Sequence, residues 1–199
     1  MATWLVVGLG NPGPTYSHNR HNAGVMVAHE LARRGSATWK AKRLQKAEAA
    51  EVRVTPAGIG VPSADAQRAV LATTRTYMNQ SGVPVKNLLT ELKLRPDHLI
   101  VVHDELDLDL GQIRAKFGGG DNGHNGLKSI RAMLGSGDYF RVRVGIGRPT
   151  THIDVIDWVL TNFTSAERDQ LLDVVTRAAD AVESLITQGL EPTQSRYNS

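Results

Sequence analysis

The sequence contains no cysteine, and this absence removes several classes of function at once. Disulfide bonds, thiolate metal sites and a cysteine nucleophile are all excluded among its 199 residues. The lack of cysteine fits a cytoplasmic protein, which is the expectation for its location. No apolar run approaches the roughly 18 residues that a membrane-spanning helix needs. The opening "MATWLVVG" has no basic segment, so neither a signal peptide nor a membrane partner is expected.

Several catalytic motifs are also missing or incomplete. The stretch "HELAR" has Arg33 where the second histidine of the zinc-protease motif HExxH belongs. No serine occupies a G-x-S-x-G turn, and no Lys-Ser or Lys-Thr follows glycines at P-loop spacing. His18 and His21 are spaced like a metal-binding pair, but no nearby carboxylate completes the site. The sequence therefore predicts no bound metal.

Charge is nearly balanced in number but uneven in position. The chain has 23 Lys and Arg against 20 Asp and Glu, for a formal net charge of +3. Cations dominate segments 33–53 and 111–148, whereas segment 154–183 is acidic. This segregation favours a basic surface that binds a polyanion. Scattered, solvated charge is the alternative that composition leaves open.

Strand-like and helix-like runs alternate along the chain, which predicts an α/β layered domain with a parallel or mixed sheet. The predicted strands are 3–8, 50–55, 68–73, 98–103, 111–117 and 139–146. The predicted helices are 22–34, 81–93, 124–134, 153–160 and 165–188, with Asn22 as a helix N-cap and a capping box at Thr164. Segment 55–67 is predicted to form a hairpin tip away from any cleft.

The stretch "VVGLGNPG" spells G-x-G-x-x-G directly after a predicted strand, which is the pattern of a dinucleotide-binding oxidoreductase. In such a fold the last glycines begin a helix and an acidic residue ends the second strand. Here Pro12 and Pro14 push the residues before them out of helical geometry, and Glu30 lies inside a predicted helix. We therefore expect a loop that presents Asn11 beside a cleft.

His21 is the best candidate for a general base among the seven histidines. It precedes a predicted helix, whose positive end disfavours imidazolium, so the neutral form is expected. Asp104 ends the apolar stretch "HLIVVHD" and lies at the carboxyl edge of the predicted sheet, where it can orient His21. Asp107 is a second choice. A purely structural hydrogen bond between a loop histidine and Asp104 is the alternative.

Three asparagines, Asn11, Asn79 and Asn125, each occupy a loop between a strand and a helix. An amide can donate to an oxyanion or a carbonyl, although each residue can equally serve as a cap or turn residue. Together with His21 and Asp104 they predict a neutral polar cleft in which water attacks a carbonyl substrate.

Cations alternate with apolar residues in the strands "GQIRAKF" and "YFRVRVGIG". Arg114 and Lys116 share one face of the first, and Arg141 and Arg143 share one face of the second. If the strands are neighbours, these cations form a compact cluster. The glycine-rich loop at 118–126 follows the first strand, and the helix behind it can bind an anion at its N-terminus.

Long blocks of the chain carry a specific resemblance to a known family: "VVGLGNPGPTYSHNRHNAG", "TRTYMNQSG", "VVHDELDLDLGQIRAKFGGGDNGHNGLKSI", "FRVRVGIGRP" and "NFTSAERDQ". The sequence resembles the bacterial-type peptidyl-tRNA hydrolases nearly from end to end. The resemblance implies one three-layer domain over residues 1–199, with a twisted mixed β-sheet flanked by helices. It also implies a monomer that hydrolyses the ester between peptide and tRNA without a cofactor, binding the acceptor stem and 3′ end.

The resemblance also implies roles for individual residues. His21 matches the catalytic histidine, Asp104 the carboxylate that orients it, and Asn11 the neighbouring catalytic amide. The implied substrate-binding residues are Tyr16, Met78, Asn79, His124 and Asn125, with His124 in a mobile loop that gates the cleft. The implied tRNA 5′-phosphate ligands are Arg114, Lys116 and Arg143.

Three departures from the family pattern stand out: Asn122 replaces a common glycine, Arg114 a common lysine, and the 55–67 insert is long. Asn tolerates left-handed backbone geometry, so we expect the loop to keep its shape. A non-catalytic RNA-binding relative, such as a splicing-type factor, is the alternative function.

Overall fold

A central sheet of eight strands organises the computed structural model, which describes residues 1–198. The strands are β1 (Thr3–Gly8), β2 (Lys40–Lys42), β3 (Ala47–Thr55), β4 (Gly58–Ile59), β5 (Gln67–Thr74), β6 (Leu99–Glu105), β7 (Ile113–Phe117) and β8 (Phe140–Gly145). Six α-helices accompany them: α1 (Ala23–Arg34), α2 (Gly82–Leu92), α3 (Asn125–Leu134), α4 (Val155–Val159), α5 (Arg168–Gln188) and α6 (Leu190–Tyr197). Short 3-10 turns include Pro14–Tyr16, Arg20–Asn22 and Met78–Gln80.

The sheet is mixed, with strand order β2-β3-β5-β1-β6-β8-β7 and β4 paired to β3. The four central strands β5, β1, β6 and β8 are parallel, and the outer strands are antiparallel to their neighbours. β6 is buried along its whole length because helices cover both faces of the sheet. The carboxyl ends of the parallel strands consequently meet along one edge.

Two apolar cores lie on opposite faces of this sheet, as successive strand residues point to alternate sides. One core packs β-strand residues such as Val6 and Val102 against α1 and α5. The other packs residues such as Val7 and Val101 against α2 and α3. The resulting three layers confirm the predicted α/β fold with a mixed sheet flanked by helices.

Two glycines allow α1 to lie directly on the carboxyl edge of the sheet. A side chain at Gly24 would place its Cβ 2.1 Å from the carbonyl oxygen of Val102, and one at Gly8 would meet the carbonyl of Gly24 at 2.2 Å. Both positions therefore require glycine for close backbone approach. This contact brings the 3-10 turn Arg20–Asn22, which immediately precedes α1, against the end of β6.

β7 is an edge strand whose outer side is covered by the last helix. The side-chain amide of Asn198 accepts from the backbone N–H of Ala115 at 2.7 Å and donates to its carbonyl at 3.0 Å. Gln194 donates to the same carbonyl. These side chains satisfy backbone groups that an exposed edge would leave open to pairing with another chain.

The predicted elements agree with the structure except at their ends and in three short additions. β2, β4 and α6 were not predicted, the predicted helix 153–160 contracts to α4, and the first three residues of the predicted helix 165–188 form a 3-10 turn. The capping box at Thr164 is present. Segment 55–67 turns back as β4 at the amino-terminal edge of β5, opposite the carboxyl edge, so the predicted hairpin is confirmed.

Among residues 1–198, no helix combines the length and apolar character that spanning a membrane requires.

Candidate active site

A cavity of about 380 Å³ opens at the carboxyl edge of the sheet, between the loops that follow β1, β5 and β6. Such an edge is where α/β folds collect their binding sites. Seven of the eleven residues singled out from the sequence line it: Asn11, His21, Met78, Asn79, Asp104, His124 and Asn125.

Three ionisable side chains form the centre of this cavity. Nδ1 of His21 lies 2.9 Å from Oδ2 of Asp104, and Nε2 of His124 lies 2.8 Å from Oδ1 of the same carboxylate. Because Asp104 can only accept when ionised, both imidazole nitrogens donate to it. Nε2 of His21 is then left without a proton in the neutral ring, which is the state that a general base requires.

The pKa of His21 is set by two opposing effects. Burial by itself lowers the pKa, but the charge and hydrogen bond of Asp104 outweigh burial, so the pKa is raised above its ordinary value. The expectation that a helix end keeps His21 neutral therefore has the wrong direction, because the ion pair with Asp104 favours the imidazolium form. Burial would raise the pKa of Asp104, yet His21 and His124 together hold it well below its usual range.

His124 has a second contact that determines its tautomer. Its Nδ1 accepts from the backbone N–H groups of Gly126 and Leu127, at 3.1 and 3.4 Å, and so caps α3. A ring whose Nδ1 accepts must carry its proton on Nε2, the atom that faces Asp104. The sequence placed His124 in the loop but provided no signal for this contact.

His103 supports the same strand end from within the core. Its Nδ1 donates to the backbone carbonyl of Asp104 at 2.7 Å, and complete burial lowers its pKa to about 3. His103 is therefore neutral at physiological pH. Sequence reasoning did not assign it a function.

Asn11 is held on three sides. Its backbone N–H donates to Oδ1 of Asn22 at 2.9 Å, and Nδ2 of Asn22 donates back to the carbonyl of Asn11 at 3.0 Å. Its own Oδ1 accepts from the backbone N–H of Met78 at 2.8 Å. The Nδ2 group of Asn11 is therefore the end that remains available to a ligand. Asn22 immediately precedes α1, but its side chain serves Asn11 instead of the predicted cap.

Asn79 and Asn125 are exposed at the cavity, on the turn Met78–Gln80 and at the first position of α3. Tyr16 lies outside the cavity wall and packs edge-on against Tyr77, which does line it, with ring centroids 6.3 Å apart. Tyr77 is 59% exposed and was not singled out from the sequence.

An apolar wall faces these polar groups from α4 and the residue after it. Ile156 is 67% exposed and Leu160 is 40% exposed, although both are large hydrophobic side chains beside the cavity. Val155 continues this surface. These side chains give the cavity an apolar side that is suited to contact with an apolar part of a ligand. The predicted helix 153–160 gave no indication that its outer face belongs to the cavity.

Arg20 anchors the turn that carries His21. Its guanidinium binds both carboxylate oxygens of Glu167 at 3.0 Å and lies 3.9 Å from the centre of the Trp158 ring. It is only 2% exposed, and Nε donates to Thr161. A bidentate, stacked arginine is geometrically specific. The turn that carries His21 is thus attached to α4 and to the segment between α4 and α5.

The predicted cation cluster is present because β7 and β8 are neighbours. Arg114 lies opposite Arg143, and Lys116 lies opposite Arg141, on one face of the antiparallel pair. Arg141 is buried and binds the carbonyls of Gly119, Gly120 and Gly137, so it has a structural role. Arg143 pairs with Glu105. In the described part of the chain, Arg114 and Lys116 have no carboxylate within ion-pairing distance.

The other basic segment, 33–53, differs from the β7–β8 cluster. Arg33 and Arg34 pair with carboxylates on α1 and α5, and Lys42 pairs with Glu91. Its charges are therefore compensated to a greater extent than those of the β7–β8 pair.

β7 ends at the sheet edge where β8 begins, which is opposite the carboxyl edge of the parallel strands. The loop 118–124 therefore runs back across the sheet to reach the cavity. At its start the backbone N–H of Gly118 donates a hydrogen bond to the carbonyl of Tyr139, and at its end His124 donates a hydrogen bond to Asp104. Asn122 adopts the left-handed conformation, with φ of 48°, as expected for its substitution of a glycine. Its amide donates to Glu105 and to Asp107, so Asp107 serves the loop and not His21.

His21, Asp104 and His124 could also hold a metal ion, since their potential ligand atoms lie within 4.8 Å of one another. In the structure, the carboxylate of Asp104 is hydrogen-bonded to His21 at 2.9 Å and to His124 at 2.8 Å. A carboxylate between two imidazole N–H groups is complete as a hydrogen-bonded unit, and a metal would have to displace two of these protons.

The glycine stretch at the end of β1 is not followed by a helix. A 3-10 turn over Pro14–Tyr16 comes next, and α1 begins only at Ala23. Glu30 lies within α1 and pairs with Arg33 and Arg34. The arrangement lacks both the helix N-terminus and the acidic strand end of a dinucleotide-binding fold, so the oxidoreductase interpretation is wrong.

Comparison with known proteins agrees with this geometry. The sequence profile of the family described as peptidyl-tRNA hydrolase matches residues 5–199. A peptidyl-tRNA hydrolase from Cutibacterium acnes is 54% identical over 197 residues, covering 99% of this chain and 98% of the relative. One from Streptomyces coelicolor is 52% identical over 198 residues, covering 100% of this chain and 96% of the relative.

Solved structures show the same relationship in three dimensions. The crystal structure of peptidyl-tRNA hydrolase from Acinetobacter baumannii superimposes with a TM-score of 0.82 at 30% identity, covering 98% of this chain and 96% of that one. A mutant of the enzyme from the same organism gives a TM-score of 0.84 at 32% identity, covering 98% and 94%. The chain therefore belongs to the peptidyl-tRNA hydrolase family.

Proposed function

We propose that this chain hydrolyses the ester bond between the peptide and the tRNA of peptidyl-tRNA, releasing tRNA for reuse in translation. The observation that carries this function is the His21–Asp104 pair at the head of an open cavity, with Nε2 of His21 directed away from the carboxylate. Membership of the family supplies the substrate. A non-catalytic RNA-binding relative is disfavoured because it would not need a base with this geometry.

His21 is the general base of the proposed reaction. Nε2 takes a proton from water while the water oxygen attacks the ester carbonyl carbon, forming a tetrahedral oxyanion. Collapse of this intermediate breaks the bond to the ribose oxygen, which receives the proton back from His21. Asp104 keeps the ring in the required tautomer and stabilises the transient imidazolium.

The three asparagines orient the substrate around this base. Nδ2 of Asn11 is the donor that its own contacts leave free, so it can bind the scissile carbonyl or the oxyanion. We assign Asn79 to the same ester and Asn125 to the peptide backbone. Recognition through backbone groups would make the enzyme tolerant of peptide sequence.

The remaining substrate contacts are proposed from their places around the cavity. Met78 and His124 line it, and Tyr16 acts through Tyr77, whose ring it supports from outside. Arg114, Lys116 and Arg143 bind the 5′-phosphate of the tRNA acceptor stem, since they share one face of the β7–β8 pair and, within residues 1–198, Arg143 is the one of the three that forms an ion pair, with Glu105.

We further propose that residues 1–199 act as one catalytic domain, as a monomer in the cytoplasm, without a metal or other cofactor. Water activated by His21 is sufficient for ester hydrolysis, because a positioned base and amide donors supply the proton transfer and the oxyanion stabilisation.

The purified chain tests this function directly. With an N-acetylated aminoacyl-tRNA as substrate, the wild-type chain should release free tRNA, and His21→Ala should reduce kcat by about 10²- to 10⁴-fold, the usual contribution of a general base. The label is placed on the N-acetylated aminoacyl group, and release is measured as the loss of label that precipitates with tRNA in acid.

His29→Ala is the matched control, since His29 lies on α1 against Trp39 and does not line the cavity. It should retain wild-type turnover. A folded His21→Ala chain with near-normal turnover would disprove the base assignment. A wild-type chain that binds the substrate but never cleaves it would favour the RNA-binding alternative.

A further inference from the structure

Glu105 is a buried carboxylate that the proposed reaction does not use. It is 5% exposed and follows Asp104 on β6. Its Oε2 accepts from Nε and Nη2 of Arg143, both at 3.1 Å. Its Oε1 accepts from Nδ2 of Asn122 at 2.8 Å and from the backbone N–H of Asp107 at 3.1 Å. All the hydrogen-bonding capacity of this carboxylate is therefore occupied.

The contacts on Oε2 determine how Arg143 is presented. With one edge of its guanidinium held by Glu105, the remaining N–H groups on Nη1 and Nη2 point away from the carboxylate. The Arg143 side chain is 20% exposed, so these groups can reach a ligand at the surface. A guanidinium held on one edge loses less conformational entropy when a phosphate binds the other.

The contact on Oε1 joins the same carboxylate to the glycine-rich loop. Asn122 donates from one amide nitrogen to both Glu105 and Asp107, and Asp107 in turn accepts from Arg148 at 2.7 Å. The loop reaches His124, which binds Asp104, only two residues later. The position of the loop at the catalytic carboxylate is thus connected to the carboxylate that holds Arg143.

The cations around Glu105 determine how the local electrostatic potential would respond to a loss of its charge. Four cations, Arg114, Lys116, Arg141 and Arg143, share the face, and Lys116 has its pKa lowered by burial and by Arg143 and Arg141. Glu105 is the single carboxylate that pairs with any of them within residues 1–198. Neutralising Glu105 would therefore increase the positive potential at the proposed phosphate site.

We propose that Glu105 is a positioning residue that holds Arg143 and the loop at Asn122 in one network, so that phosphate recognition and the shape of the catalytic cavity are set together. This inference rests on the proposed function. It assigns Glu105 no contact with the substrate: it acts through Arg143 and Asn122.

Charge and positioning predict opposite results for Glu105→Gln. If only net charge mattered, removing a negative charge would strengthen phosphate binding and lower KM. If Glu105 positions Arg143, the amide of Gln cannot accept from Arg143 and Asn122 at the same time, because one of its two ends is a donor. Whichever end of the amide faces Arg143, the guanidinium loses its charged acceptor and is held less firmly, so KM would rise despite the added positive potential.

The experiment compares acylated substrates that carry a 5′-phosphate or a 5′-hydroxyl. The wild-type chain should favour the phosphorylated substrate in kcat/KM. Glu105→Gln should raise KM for the phosphorylated substrate by about tenfold, the scale of one charge-assisted contact. It should raise KM for the 5′-hydroxyl substrate less, so the ratio of kcat/KM for the phosphorylated substrate to that for the 5′-hydroxyl substrate falls. An unchanged ratio, or a lower KM, would overturn the proposal.

Glu51→Gln is the matched control. Glu51 also forms a two-bond pair with an arginine, Arg68, but it lies on β3 far along the sheet and lines no part of the active-site cavity. It should leave both KM and the ratio unchanged.

Asn122→Gly tests the loop half of the network and does not disturb the buried carboxylate. Glycine accepts the φ of 48° and removes only the amide. We expect kcat for both substrates to fall about threefold, with the substrate ratio reduced less than in Glu105→Gln. Wild-type kinetics in this variant would overturn the connection to the loop, even if Glu105→Gln failed to fold.

Binding of deacylated tRNA separates this inference from the proposed function. If the wild-type chain cleaves neither substrate, the proposed function fails. The preference for 5′-phosphorylated over 5′-hydroxyl deacylated tRNA, and its loss in Glu105→Gln, still tests whether Glu105 positions Arg143. If the wild-type chain and Glu105→Gln showed the same preference, that result alone would overturn the proposed role of Glu105.

Discussion

Asp104 and Glu105 are consecutive residues of β6, yet they organise different halves of the site. Asp104 binds two imidazole rings on His21 and His124. Glu105 binds the guanidinium of Arg143 and the amide of Asn122. The difference arises because neighbouring strand residues point to opposite faces of the sheet.

The two carboxylates differ in how their surroundings respond to pH. One partner of Asp104 is the titratable ring of His21, whose pKa is lowered by burial but raised overall by the charge and hydrogen bond of Asp104. The partners of Glu105 are a guanidinium, which stays charged, and an uncharged amide. One strand end thus combines a titrating pair, which suits the proposed proton transfer, with a permanently charged arrangement, which suits the proposed phosphate site. Variants of Asp104 should therefore alter mainly kcat, and variants of Glu105 should alter mainly KM.

Among the variants that distinguish the two carboxylates, Asp104→Asn should have the largest effect. An amide can donate to Nδ1 of His21 and so stabilise the wrong tautomer, which leaves a proton on the nitrogen that must act as base. We expect kcat to fall about 10²-fold, less than in His21→Ala, with KM little changed. Single-turnover hydrolysis measures this loss.

Asp109→Asn carries the same chemical change on an exposed residue of the following loop and should behave like the wild-type chain. If Asp104→Asn raised KM and left kcat intact, the division of labour between Asp104 and Glu105 would be disproved.

A smaller effect, on binding, should follow from removing two cations of the β7–β8 face. Lys116→Ala combined with Arg143→Ala should weaken tRNA binding at low salt. It should also reduce the slope of log K against log salt concentration by about 1.5, because each lost phosphate contact removes about 0.7–0.9 from the slope. Titration of labelled tRNA at several salt concentrations gives the slope.

The control replaces Arg33 and Lys42 with alanine, because both already pair with carboxylates. That slope should stay near the wild-type value. A double Lys116 and Arg143 variant with the wild-type slope would show that the phosphate site lies elsewhere.

The smallest effect is a shift in the pH profile. The pKa of His21 is raised, and the imidazolium form cannot accept a proton, so kcat/KM should increase with pH through a midpoint above the ordinary histidine value of about 6.5. In Asp104→Asn the opposing ion pair is gone and burial acts alone, so the midpoint should move to lower pH.

Initial rates between pH 5 and pH 9 at constant ionic strength, corrected for spontaneous ester hydrolysis, measure this midpoint. The same midpoint in the two chains would mean that Asp104 does not stabilise the charged form of His21.

Much of this architecture follows from short-range patterns. The apolar run of β1 and the alternation in β7 and β8 predicted strands, and a cap and an amphipathic repeat predicted α5. The contact between His21 and Asp104 was predictable because strand ends of a parallel sheet share one edge. Short elements were missed because tertiary contacts define them: β2 and β4 pair with β3, and α6 lies against β7 through Gln194.

The sequence by itself determined the alternation of strands and helices, the absence of thiol chemistry, and the residue types available at the carboxyl edge. Tertiary structure decided which of those residues meet. Asn22 holds Asn11 instead of capping α1, Arg141 is buried under the glycine loop, and Glu105 joins Arg143 to Asn122. The physical reason is distance along the chain: periodicity reports which face a residue occupies, but strand order and loop path determine its partner.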